Sequence, residues 1–135
     1  MKKLISVILC VLLLFSLCAC NGEKIVDVKV PFMESEIYSQ EDISLAISTI
    51  TEEFKKEWNG CTLTEIYYAG DDVSAEYQDW AERYDADEVI VLLSSFDTDS
   101  PAENSGLNSD FTYKNWNWIL VRTSGGNWKH VDHGY

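Results

Sequence analysis

His130-Val131-Asp132-His133 is the stretch of this chain richest in groups that could do chemistry. Imidazoles and a carboxylate this close together can bind a metal ion or move a proton. On a regular strand His130 and Asp132 share one face and His133 takes the other. One strand then offers two ligands where zinc takes three or four. Cys61 is the other side chain that could complete such a site, and no spacing ties it to this segment. The expectation is therefore no metal, with His130 and Asp132 paired on the sheet surface and His133 packed beside Trp118.

A second constellation is aromatic. With Gly125-Gly126 as the turn of a hairpin, Leu120 pairs with Val131, Trp118 with His133 and Trp116 with Tyr135. These residues form one apolar face. It reads first as core; the functional alternative is a small-ligand pocket lined by Trp116, Trp118, His133 and Tyr135. Asp97, Asp99, Glu103, Asn104, Asn108 and Asp110 supply oxygens that calcium accepts. Pro101 stands where an EF-hand has its fifth residue and no glycine holds the sixth, so the segment reads as a solvated loop. Glu76, Asp79, Glu82 and Asp85 fall on the outer side of a helix, where glycoside chemistry has no cleft to work in. No Ser-His-Asp order, nucleophile elbow or glycine-rich phosphate loop occurs, so no catalytic residue and no cofactor is expected. Cys61 reads as a small buried hydrophobe.

The elements that must position these groups follow from periodicity. Residues 25–31 alternate Val26, Val28 and Val30 with charges, as a short edge strand stopped by Pro31 does. Ser39 is the expected N-cap of a long helix, with Asp42 at N3 and Tyr38 and Ile43 as a hydrophobic staple. Ile43, Ile47, Ile50, Phe54 and Trp58 share its apolar face. Glu52, Glu53, Lys55, Lys56 and Glu57 fall on its solvated side, and Asn59-Gly60 ends it. Residues 61–68 read as a strand. Val73, Tyr77, Trp80, Ala81 and Tyr84 mark a second helix capped by Asp71 or Asp72. Residues 88–96 are apolar on both faces, as a central strand is. Residues 97–112 read as a loop, and residues 115–123 and 128–135 as a closing hairpin. The sum is α+β: one antiparallel sheet of about four to five strands, a long N-terminal helix and a second shorter helix.

Composition sets limits. Ten Lys and Arg against 23 Asp and Glu give 135 residues a formal charge of −13. Nothing resembles a basic stripe, which excludes nucleic acid as a partner, and no polybasic patch draws the domain to anionic lipid.

The first residues read as an address. Lys2 and Lys3 precede an apolar run from Leu4 to Phe15, too short to span a bilayer and of the length of a signal h-region. Leu17-Cys18-Ala19-Cys20 then resembles the lipobox of bacterial lipoproteins. The resemblance implies cleavage between Ala19 and Cys20, a diacylglycerol on the Cys20 sulfur, and acyl chains of the palmitate type holding the protein on the outer face of the cytoplasmic membrane. Two buried acyl chains anchor firmly, at ~0.8 kcal/mol per CH₂. Residues 1–19 are then a signal peptide, 20–37 a lipidated cysteine with tether and edge strand, and 38–135 one α+β domain. Cys10 and Cys18 leave with the signal, so Cys61 has no partner for a disulfide.

The segments EDISLAISTITEEFKKEWNGCTLTEIYY, YDADEVIVLLSSF and WNWILVRTSGGNWKHVDHGY also resemble, in this order, a family of small bacterial lipoproteins without assigned activity. The resemblance covers residues 38–135 and implies a cystatin-like, nuclear-transport-factor-like cone in which a curved sheet wraps the first helix. It rests on packing and turn residues and carries over no catalytic group.

These readings converge on a membrane-anchored, extracytoplasmic domain that binds a protein or small ligand and is not an enzyme. One alternative is a small-molecule cone or weak enzyme with Asp132 or His130 as general base, which requires Asp132 to be buried. Another is an inhibitor or immunity-type lipoprotein whose acidic surface masks a basic partner.

Overall fold

Ser39 starts the longest helix as its side chain predicts. Its Oγ accepts from the Asp42 amide at 3.1 Å, and α1 (Gln40–Glu57) follows. Glu41 and Asp42 lie in the first turn and Lys55 and Lys56 in the last, each sign at the favourable end of the helix dipole. Ile43, Ala46, Ile47, Ile50 and Phe54 are buried. Trp58 caps the C-terminus, and Gly60, at φ 81°, turns the chain into the sheet. The computed structural model describes residues 27–99 and 106–135. The expected signal peptide and lipobox, Cys20, Glu103 and Asn104 lie outside the described residues.

The sheet has four strands: β1 (Cys61–Tyr68), β2 (Glu88–Thr98), β3 (Thr112–Arg122) and β4 (Lys129–Gly134). All pairings are antiparallel, and the strands lie side by side in chain order. The fold is thus α+β with one antiparallel sheet. β2 is central and both its faces are used. Ile90, Leu92 and Phe96 join α1, Trp118 and Leu120 in the larger core. Val89 and Val91 join Ile119 and Val121 under the second helical segment, through Ala81.

That segment departs from expectation. In place of one helix there are two short ones, α2 (Asp71–Glu76) and α3 (Gln78–Arg83), broken at Tyr77. Neither Asp71 nor Asp72 caps α2. Gly70 holds the N-cap position with no side-chain bond, and both acids lie in the first turn. The Asp71 carboxylate is committed elsewhere: it accepts from Ser35 Oγ at 2.6 Å, the Glu36 amide at 2.8 Å and Tyr68 Oη at 2.7 Å. These donors, Ser35 foremost, hold its pKa below the usual carboxylate value. Asp71 thereby pins the segment that leads into α1.

Two other boundaries move. Among the described residues the expected edge strand is one parallel bridge, Lys29 to Glu65, with bonds of 3.0 Å from Lys29 N to Thr64 O and from Ile66 N to Lys29 O. The expected 97–112 loop is shorter. Asp97 pairs with Thr112 inside the sheet, and its carboxylate accepts from Thr112 Oγ1 at 2.6 Å. Thr98 Oγ1 extends the pairing by donating to Asn108 O at 2.5 Å and accepting from the Phe111 amide at 3.0 Å.

Arg122, at the end of β3, ties the layers together. Its guanidinium donates to Asp42 at 3.0 Å and to Glu88, and lies 4.2 Å over the Trp128 ring.

Candidate functional site

Only a bulge explains where the histidines sit. Ile119 pairs with Asp132, but Leu120 pairs with His130, so Val131 is the extra residue. The consequence reverses the expected arrangement. His130 and His133 come together on the Trp118 face, while Asp132 is left exposed. Leu120 does not pair with Val131; that side chain packs on the opposite face against the smaller core. The expected Trp118–His133 pairing is present.

His130 does not pair with the Asp132 carboxylate. Its Nδ1 lies 2.8 and 2.9 Å from the two Glu53 carboxylate oxygens. Glu53 was expected on the solvated side of α1; its side chain is 26% exposed and that of His130 12%. A carboxylate only accepts, so Nδ1 carries the proton of this bond. On the other side, His130 Nε2 lies 3.2 Å from His133 Nδ1 and 3.1 Å from the Asp132 carbonyl oxygen. Glu53, His130 and His133 therefore form a line from α1 to the exposed end of β4.

Aromatic rings wall this line. The His133 ring is 5.1 Å from Trp58, 5.3 Å from Trp118 and 6.0 Å from Trp116, the last nearly parallel. Tyr135 packs on Trp116 at 5.2 Å. Burial acts first on His133, and the neighbouring His130 second, to lower its pKa below the ordinary imidazole value; Asp132 and Glu53 oppose this.

The four residues read as a pocket, Trp116, Trp118, His133 and Tyr135, do cluster. Trp118 is fully buried, and its Nε1 donates to Ser94 Oγ at 2.7 Å, so it belongs to the core. Ile47, Phe54 and Leu120 are buried with it in the larger core between α1 and the sheet. The surface presents His133 and Tyr135, with Trp116 half-buried behind them. An open hollow of about 360 Å³ lies elsewhere, lined by Phe32, Glu34, Ser35, Glu36, Gln40 and Asp71. None of the four aromatic and histidine residues lines it.

No family model, curated protein or solved structure matches this chain. Its chemistry is read from its own residues.

The remaining candidates separate. Cys61 begins β1 as a free thiol, half-buried, with its pKa pushed up by burial and then by Asp99. Asp97 is committed to Thr112. Glu76, Asp79, Glu82 and Asp85 are exposed, and Asp79 pairs with Arg83 at 2.9 Å. Exposure of Asp132 removes the burial on which its role as general base depended. Among the described residues, no three or more His, Cys, Asp or Glu converge to cage a metal ion, and no helix is long and apolar enough to cross a membrane.

Proposed function

We propose that this chain is a lipid-anchored extracytoplasmic lipoprotein, held on the outer face of a bacterial cytoplasmic membrane through Cys20, whose domain binds a partner rather than turning over a substrate. The observation that carries this reading is Leu17-Cys18-Ala19-Cys20 directly after a basic start and a short apolar run. A long helix on an antiparallel meander supports a relationship to the cystatin-like domains of such lipoproteins. Exposed Val30, Phe32 and Ile37 supply apolar contact area near the tether.

The test is metabolic labelling with an alkyne-bearing palmitate in a bacterial host that processes lipoproteins. The wild-type chain takes up label and sediments with membranes. Cys20→Ala takes up none and keeps its signal peptide, seen as a higher mass. Equal labelling of both chains, or none of either, removes the anchor from the proposal.

A further inference from the structure

The two histidines that the bulge brings together aim ring nitrogens at one another. His130 Nε2 and His133 Nδ1 are 3.2 Å apart. Two imidazole nitrogens bound to one dication at about 2.0–2.1 Å, near the tetrahedral angle, stand about 3.0–3.4 Å from each other. The pair is thus spaced to close on an ion with little backbone movement.

The second observation lies behind His130. Its Nδ1 donates to the Glu53 carboxylate, which orients the ring, while its Nε2 faces both His133 Nδ1 and the Asp132 carbonyl oxygen at 3.1 Å; a carbonyl only accepts, so an ion binding at Nε2 displaces the proton of that bond. Histidines that ligate metals commonly carry such a carboxylate on the far nitrogen, where it orients the ring and raises its basicity. The Trp118 ring packs against both imidazoles and the Trp58 ring against His133, so the pair is ordered before an ion arrives.

We propose that His130 Nε2 and His133 Nδ1 chelate a divalent transition-metal ion of the imidazole-binding class, with Glu53 as the positioning carboxylate and water completing the coordination. Cu²⁺ binds tightest among such ions, ahead of Zn²⁺. The site is open and exchangeable, because only two protein side chains reach it. This inference is independent of the lipid anchor.

The full chain in detergent, stripped of metal and held at about 0.15 M salt to screen its acidic surface, is titrated with Cu²⁺. Trp58, Trp116 and Trp118 report binding by loss of fluorescence, since their rings pack against the histidines. A parallel titration with Zn²⁺ is read by the imidazole ¹⁵N resonances. The expected result is saturation at one ion per chain, with movement of His130 Nε2 and His133 Nδ1. His133→Ala weakens binding at least tenfold, while its circular dichroism matches wild type. Glu53→Gln weakens binding about 10- to 100-fold with both ligands present. Asp79→Asn, on the outer side of α3, leaves it unchanged. Equal affinity in wild type and His133→Ala, or no saturable binding, overturns the site. Equal affinity in wild type and Glu53→Gln overturns the part given to Glu53.

Discussion

Arg122 Nη1 lies 3.0 Å from Asp42 Oδ1, joining the end of β3 to the first turn of α1 across 80 residues of sequence. The guanidinium side chain is only 10% exposed and also donates to Glu88. Arg122 has its pKa raised by these carboxylates, Asp42 first, and Asp42 has its own lowered by Arg122.

Arg122→Ala leaves two carboxylates facing one another without their cation and strips the ring contacts with Trp128. The expected loss is about 3 kcal/mol. Chemical denaturation checks it, through a fall in midpoint with little change in slope. Arg122→Lys restores less than half, because one ammonium cannot fork between Asp42 and Glu88.

Ser94→Ala orphans the buried Trp118 Nε1, which donates to Ser94 Oγ at 2.7 Å. A cost of about 1–3 kcal/mol is expected. Trp118→Phe costs stability through lost volume as well. In the double variant the two costs do not add, because the orphaned donor is gone. Full additivity in a denaturation cycle contradicts this bond.

Stability depends on pH through two windows. His133 has a folded pKa below its ordinary 6.5, so the unfolded chain binds the proton more readily. Protonation therefore favours unfolding, and stability falls as pH drops from about 7 toward 5. His130, Asp132, Glu53 and the three tryptophans surround this imidazole. Asp42 and Asp71 have folded values below 3.8; their contribution is present above that value and is lost as pH falls further. His133→Gln flattens the upper window and leaves the lower. Denaturation midpoints across this pH range make the comparison.

The Cys61 thiol is a poor nucleophile in the folded chain, since burial and Asp99 raise its pKa. Three further cysteines stand in residues 1–20. Peptide mapping after brief treatment with a thiol reagent at neutral pH finds little label on Cys61 without denaturant and full label with it.

The long helix was legible because Ser39, the Ile43 to Phe54 stripe and Gly60 all state the same boundaries. The hairpin was legible from its glycines and alternating aromatics, but its turn is not centred on Gly125-Gly126: the Gly126 amide donates to Thr123 O at 2.8 Å, which puts Ser124 and Gly125 at the centre, and only Gly125 takes a positive φ, 73°. The paired histidines were not. A bulge depends on how β4 meets β3, and nothing in His-Val-Asp-His itself announces that Val131 is skipped. Glu53 was hidden for a related reason. It stands among four other charged residues between Glu52 and Glu57, and only the approach of β4 distinguishes it from them. The break at Tyr77 escaped notice because the apolar spacing continues unbroken through two short helices. Asp71 looked like a cap because its partners Ser35 and Glu36 are remote in sequence.

The chain-order sheet sets a timetable for assembly. Each strand pairs with the one synthesised just before it, so loops to be closed are short and the sheet can zip forward without waiting for a distant segment. β4 comes last in chain order among the described strands, and it carries both histidines. An intermediate lacking β4 would already hold α1 against β1 and β2 while having no place for an ion to bind.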